Sequence, residues 1–186
     1  MDPSLSYESH EQRFYDNVKD LSELIYELIS LCYDNGYKHV HPELVKLASQ
    51  VLSNFDKQRI IENFIQYSKP YWDNIIDRDE QFFILHASKV FSDLPLDNVD
   101  AFKILFTSTD KSGHLIINND DKQAIWLFFD SLIKIVIKYI HEKRGPKLKE
   151  SDEGLKPIYS IKYHHDIKLQ KFARHYKIEL SWPQSI

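Results

Sequence analysis

The chain has 186 residues, four glycines, one cysteine and a formal net charge of −4. So few glycines argue against a Rossmann domain, a P-loop or a many-stranded barrel, because those folds use glycine in tight turns and beside ligands. The single cysteine, Cys32, excludes an internal disulfide and fits an intracellular protein, either cytoplasmic or carried in a virion. The length suits one domain with an appendage.

The first predicted helix runs from about Ser9 to Tyr33. Ser9 and Gln12 have the spacing of a capping box, and Gly36 is placed for a left-handed C-cap. Apolar residues recur at steps of four and three, which predicts one buried face of a bundle helix. The residues of this face are Phe14, Val18, Leu21, Ile25, Leu28 and Cys32.

Several shorter helices are predicted to follow. The second begins at Pro42, a residue favoured in the first turn. Its predicted buried face consists of Leu44, Leu47 or Ala48, Val51 and Phe55. A third helix starts near Asp56, a short one opens at Pro70, and two more cover about residues 79–91 and 97–106. Each carries apolar residues on one side, as packed helices do.

The longest predicted helix spans residues 118–144 and is apolar on most of its circumference. Its polar positions form one stripe, which consists of Asp130, Lys134, Lys138 and His141. A helix apolar on most sides is usually covered by its neighbours. We therefore predict a mainly all-α fold in which five to seven helices pack around a central buried helix at 118–144.

The sequence predicts three regions. Residues 1–145 form the helical domain, residues 146–157 form a charged linker, and residues 158–186 form a basic arm that packs on the domain or on a partner. The charge is uneven: residues 1–142 carry 14 Lys/Arg and 23 Asp/Glu, whereas residues 143–186 carry 10 and 5. A basic arm against an acidic body is the simplest interpretation of this asymmetry.

The arm is predicted to contain a little strand. Apolar and polar residues alternate at 159–163 and again at 178–182, with a short helix at about 166–176 between them. Because two strands alone are marginally stable in water, this arm should pack on the helices or on another subunit.

The stretch from residue 102 to residue 120 resembles an EF-hand in the order of its parts: helix, polar loop with a glycine, apolar residue, helix. With Gly113 at the sixth loop position, the candidate calcium ligands are Asp110, Ser112 and Asn119. A calcium loop normally begins with a carboxylate and ends with a bidentate glutamate, where this chain has Ser108 and Asn119. A metal-free turn is therefore favoured, and a degenerate EF-hand-like calcium-binding module is an alternative.

A second alternative is a nucleic-acid-binding protein that acts through its basic arm, where basic residues alternate with aromatic rings. The candidate contacts to phosphate are Arg144, Lys147, Lys149, Lys162, Lys168, Lys171 and Arg174. The acidic body and a sequence pI of about 6.1 argue against this interpretation. Solvated surface lysines are the simpler explanation.

The favoured prediction is a non-enzymatic interaction or structural protein that binds another chain or itself. No catalytic or cofactor motif is present, so we predict no catalytic residue, no cofactor and no metal. The candidate partner contacts are Tyr159, Tyr163, Phe172, Tyr176 and Trp182. No apolar run is long enough to predict a membrane span. Lysine outnumbers arginine by 19 to 5, a bias typical of AT-rich genomes, which suggests an accessory or virion-associated protein of a large DNA virus.

Overall fold

The computed structural model describes residues 8–38, 40–90, 99–144, 147–151, 154–158 and 167–180. The described chain is predominantly helical, which confirms the predicted fold class at that level. It divides into two compact units, Met1–Leu132 and Ile133–Ile186. The sequence placed its boundary at residue 145, beyond the end of the long helix.

Helix α1 spans His10–Asp34 and begins and ends as its sequence predicts. The Ser9 hydroxyl accepts a hydrogen bond from the Gln12 backbone N–H at 3.1 Å. At the other end Gly36 adopts a φ of 109°, and the Tyr37 N–H donates to the Cys32 carbonyl at 3.2 Å. These are the bonds of a Schellman motif, which satisfies carbonyls that the last turn leaves free.

Five shorter helices follow among the described residues of the first unit. They are α2 (Pro42–Leu52), α3 (Lys57–Ser68), α4 (Trp72–Ile76), α5 (Glu80–Val90) and α6 (Val99–Thr107), with a 3₁₀ turn at Lys69–Tyr71 before α4. Helix α1 packs against α2, α3 and α6, and α5 packs against α6. These bounds lie close to the predicted ones because capping residues and prolines mark the helix ends.

Helix α7 spans Asn119–Arg144 and is the longest described element. The Asn118 side-chain oxygen accepts hydrogen bonds from the backbone N–H groups of Asp120 and Asp121 at 2.7 and 3.0 Å, so Asn118 is the N-cap. The residues of α7 that are at most 5% exposed are Ile125, Trp126, Phe129, Leu132, Ile133, Ile135, Val136, Ile137, Tyr139 and Ile140. The predicted burial of this helix is therefore confirmed.

The polar stripe predicted on α7 also meets solvent. Lys134 and Lys138 are exposed, and Asp130 and His141 are half-buried. Leu127, which the apolar pattern assigned to the buried side, is 61% exposed. It lies between Gln123 and Asp130 along the helix, on the edge of the face that meets solvent.

In the second unit, strands β1 (Lys147–Ser151) and β2 (Gly154–Ile158) pair antiparallel, where the sequence predicted a linker. Strand pairing uses backbone groups, which a charged composition does not prevent. Helix α8 follows at Ile167–His175. The strand predicted at 178–182 is not found in its described part, because the Ile178 N–H donates to the Ala173 carbonyl at 2.8 Å instead. The strand predicted at 159–163 lies outside the described residues.

Candidate functional site

An apolar stripe lies exposed along α2 and the turn that follows it. We call it the α2 stripe: Leu44 is 48% exposed, Leu47 55%, Val51 38% and Phe55 43%. The sequence assigned Leu44, Leu47 or Ala48, Val51 and Phe55 to the buried face of α2. Of these only Ala48 is buried, so the assignment is wrong for the residues of the α2 stripe. After Pro42 in the first turn, the residues that α2 does bury, all at most 5% exposed, are Val45, Ala48 and Leu52.

The error has a physical cause in the pattern of α2. Apolar residues occur as adjacent pairs at 44/45, 47/48 and 51/52, which draws two parallel apolar lines along the helix. Helix α2 packs mainly against α1, and one neighbour covers only one of the two lines. A doubled apolar line on a short helix is the signal in the sequence that could have revealed the exposed stripe.

The polar residues beside the α2 stripe carry balanced charge. Glu43, Lys46 and Gln50 are exposed on α2. The charged residues within 42–57 are two acidic and two basic, so the segment has no net charge while the whole chain carries −4. A partner that covers the apolar residues of this segment would therefore meet little net electrostatic repulsion from it.

The loop between α6 and α7 is held from inside by Asp110. Its carboxylate oxygen Oδ1 accepts hydrogen bonds from the backbone N–H groups of Ser112 at 2.7 Å and His114 at 3.0 Å. The His114 and Ser112 N–H groups lower the pKa of the Asp110 carboxyl below its ordinary value. Gly113 has a φ of 84°, which suits this tight turn.

Two of the predicted calcium ligands, Asp110 and Ser112, lie in this loop, and the third, Asn119, is the first residue of α7. Asp110 is partly exposed and engaged with its own loop, while Ser112 and Asn119 are exposed. Within the described part of the chain, no three His, Cys, Asp or Glu side chains are grouped so that they could hold a metal ion. A calcium ion here would compete with two backbone N–H groups for the same Asp110 oxygen.

The same loop is tied to the end of α1 by Tyr37, a residue that sequence analysis did not single out. Its hydroxyl accepts from the Thr109 N–H at 2.9 Å and donates to the Thr109 carbonyl at 3.1 Å. The Thr109 N–H lowers the pKa of the Tyr37 hydroxyl. The Schellman motif at Gly36 directs this ring toward a partner 72 residues away along the chain.

Cys32 lies beneath this contact and is 1% exposed, as its place in the apolar face of α1 predicted. Burial raises the pKa of its thiol, and the Ser108 hydroxyl beside it acts in the opposite direction to a lesser extent. A thiol with a raised pKa stays protonated near neutral pH and is a poor nucleophile.

The basic arm is described in part. On α8, Lys171 and Arg174 are exposed and Lys168 is half-buried. The backbones of Lys147 and Lys149 lie on β1, and Arg144 is the last residue of α7. The remaining predicted phosphate contact, Lys162, lies outside the described residues.

The predicted aromatic contacts of the arm have different environments. Phe172 is fully buried, so its ring is a core residue of α8 and is not a surface contact. Tyr176 is half-buried, with the Lys134 ammonium 5.2 Å from its ring centroid. Tyr159, Tyr163 and Trp182 lie outside the described residues.

Comparison with known proteins finds no match: no family model, no curated protein and no solved structure resembles this chain significantly. A membrane-spanning helix is also not found in the described residues, since none of their helices is both long enough and apolar enough.

Proposed function

We propose that this chain is a non-enzymatic interaction protein that pairs with a second copy of itself through the α2 stripe. The observation that carries the proposal is the exposure of Leu44, Leu47 and Val51 along one side of α2, with Phe55 exposed in the turn that follows. A contiguous apolar patch on a soluble surface marks an interaction site more often than scattered apolar residues do.

The zero net charge of segment 42–57 favours a second copy of the chain as the partner that covers the α2 stripe. A helix bearing apolar residues at i, i+3 and i+7 is complementary to another helix with the same pattern, and an isologous two-fold contact is the commonest arrangement of soluble oligomers. The neutral segment 42–57 lets two identical surfaces meet without like-charge repulsion. Glu43 and Lys46, of opposite sign, both border the apolar line.

The size of the stripe sets the expected affinity. Four side chains exposed by about half present on the order of 300 Å² of apolar surface, below the roughly 800 Å² per partner of a standard interface. We therefore expect a weak dimer with a Kd in the micromolar range or above.

The test is light scattering coupled to size exclusion over about 5 to 500 μM protein, a range that brackets such a Kd. The mean mass should rise toward twice that of one chain, and Leu47→Glu should keep it at one chain because a buried carboxylate is costly. Leu85→Glu is the matched control, since Leu85 is 60% exposed and lies on α5. It should dimerise like the parent chain.

Two results would contradict self-association. One is a parent chain that stays monomeric at every concentration, and the other is a Leu47→Glu variant that dimerises as well as the parent. If a different protein binds the parent chain and not Leu47→Glu, the occupant is that protein and the second-copy assignment fails.

A further inference from the structure

A small cavity lies at the end of α8, in the second unit. It has a volume of about 280 Å³ and is lined by Gln170, Ala173, Arg174, Ile178 and Leu180. We propose that it binds a carboxylate carried on a short apolar chain, with Arg174 holding the carboxylate and the apolar residues covering the chain.

The cavity exists because α8 ends in a reversal of the backbone. Lys177 has a φ of 53°, and its N–H donates to the Arg174 carbonyl at 3.1 Å while the Ile178 N–H donates to the Ala173 carbonyl at 2.8 Å. This Schellman motif brings the segment 178–180 back beside the last turns of the helix. It also satisfies two carbonyls that would otherwise repel an anion at the helix C-terminus.

The lining has two chemical halves. Ala173 is 3% exposed, and Ile178 and Leu180 are half-buried, so one side of the cavity is apolar. Gln170 and Arg174 are one helical turn apart, which places their side chains on the same side of α8. A pocket with an apolar wall and one or two polar groups is the usual form of a small-ligand site.

The charge selects an anion. Arg174 is exposed and forms no ion pair within the described residues, and none of the described residues that line the cavity is acidic. The segment 167–180 contains four Lys/Arg and one acidic residue, Glu179. A guanidinium can hold both oxygens of a carboxylate at once, which a neutral ligand cannot reproduce.

The volume limits the ligand to a small one. With about 30 Å³ for each water-sized group, the cavity holds roughly nine non-hydrogen atoms. Two sources share this chemistry: a free short-chain carboxylic acid, and the C-terminal carboxylate of a polypeptide whose last residue is apolar.

The test uses the full-length protein and follows backbone NMR shifts of Ala173 and Ile178 during titration. The probes are hexanoate, N-acetylleucine, N-acetylleucine amide, hexanol and acetate; the leucine side chain, Cα and carboxylate of N-acetylleucine fit within roughly nine non-hydrogen atoms, and its acetyl group projects through the open side of the cavity. We expect saturable shifts with hexanoate or N-acetylleucine and at least about tenfold weaker binding of hexanol and acetate, because each lacks one half of the ligand. Saturable binding of hexanoate without binding of N-acetylleucine identifies a free acid as the ligand. Tighter binding of N-acetylleucine than of hexanoate, together with no binding of N-acetylleucine amide, identifies the C-terminus of a polypeptide.

Two variants separate the cavity from the general charge of α8. Arg174→Gln should weaken binding about tenfold. Lys171→Gln removes the same charge from an exposed position of α8 that does not line the cavity, and it should bind like the parent. Equal weakening by both variants, equal binding of hexanol and hexanoate, or no saturable shift with either acid would overturn the proposal. Unchanged thermal unfolding of Arg174→Gln would show that a loss of binding is not a loss of fold.

Discussion

At the scale of single residues, backbone conformation explains why certain side chains stand where they do. Among the described residues, three helix ends use the same Schellman bonds, after α1, α4 and α8, with Gly36, Arg78 and Lys177 at positive φ. Glycine adopts a positive φ without strain, whereas the left-handed conformation of a residue with a side chain costs roughly 1 to 2 kcal/mol of stability. Arg78 offsets this cost in part, because its guanidinium contacts the Gln123 side chain and lies 3.8 Å from the Asp130 carboxylate.

Lys177→Gly should stabilise the protein by about 0.5 to 1 kcal/mol, since glycine removes the strain at a φ of 53° and gives back part of the gain through unfolded-chain entropy. Urea unfolding measures the change. Lys171→Gly is the control, because it makes the same lysine-to-glycine exchange in the interior of α8. There glycine should destabilise the protein by about 1 kcal/mol. A less stable Lys177→Gly variant would show that the lysine side chain contributes more than the strain costs.

The pKa of Asp110 should lie below that of an ordinary aspartate, because the His114 and Ser112 N–H groups stabilise the ionised form. A carboxyl whose pKa is lowered by folding contributes stability above its unfolded pKa, near 3.9, and the contribution disappears as the pH falls through the folded pKa. Side-chain NMR titration of the intact protein, with a peptide of residues 108–118 as reference, measures both pKa values. Equal values in the two molecules would contradict the hydrogen bonds described for this loop.

At the scale of elements, an ion pair between Lys122 and Glu80 holds the start of α7 to α5. The pair compensates for the unfavourable position of a lysine near the N-terminus of a helix. Lys122 lies in the first turns of α7, where the positive end of the helix disfavours a cation. Its side chain is 8% exposed, and its ammonium lies 2.9 Å from the Glu80 carboxylate, whose side chain is 40% exposed. The pair therefore joins two elements 42 residues apart along the chain.

Glu80→Gln should lower the free energy of unfolding by about 1 to 2 kcal/mol, because it leaves a buried ammonium without a counter-charge. The exposure of Glu80 keeps the loss below that of a fully buried pair. Lys122→Met should change stability by less than about 1 kcal/mol, since an apolar side chain of similar length fills the same space. Chemical denaturation compares them, and an equal loss in both variants would mean that packing of the lysine stem dominates.

At the scale of the whole molecule, the first unit is organised around aromatic rings that come from three helices. The ring centroid of Phe83 on α5 lies 5.1 Å from that of Trp126 and 5.4 Å from that of Phe129, both on α7, and Phe106 on α6 lies 5.9 Å from Trp126. Such contacts add to the burial of large apolar surfaces. This cluster connects α5, α6 and α7, which are separated along the chain by loops.

Phe129→Ala should destabilise the fold by about 3 to 5 kcal/mol, because it opens a cavity where the ring is 1% exposed. Leu127→Ala, two residues earlier on the same helix at 61% exposure, should cost less than about 0.5 kcal/mol. Thermal unfolding followed by far-UV circular dichroism ranks the two variants. Similar losses in both would mean that Leu127 is covered in solution, by a partner or by another part of the chain.

The sequence by itself determined what depends on neighbours along the chain. The ends of α1 and α7, the buried face of α1 and the polar stripe of α7 follow from caps and from a period of 3.6 residues, both of which operate within a few positions. Among the candidate sites, the Asp110 loop was identifiable, because its glycine and aspartate act over the same short range.

Only the tertiary structure decided which of the two apolar lines of α2 is covered, where the Tyr37 hydroxyl bonds, and that Arg174 borders a cavity. A helix can present Leu44 or Val45 to its neighbour with equal local stability, and the choice depends on how many partners surround it. The Tyr37–Thr109 contact and the Lys122–Glu80 pair join residues 72 and 42 positions apart, and no local pattern encodes such distances. Burial is a property of the packed assembly of helices, whereas periodicity is a property of each helix alone.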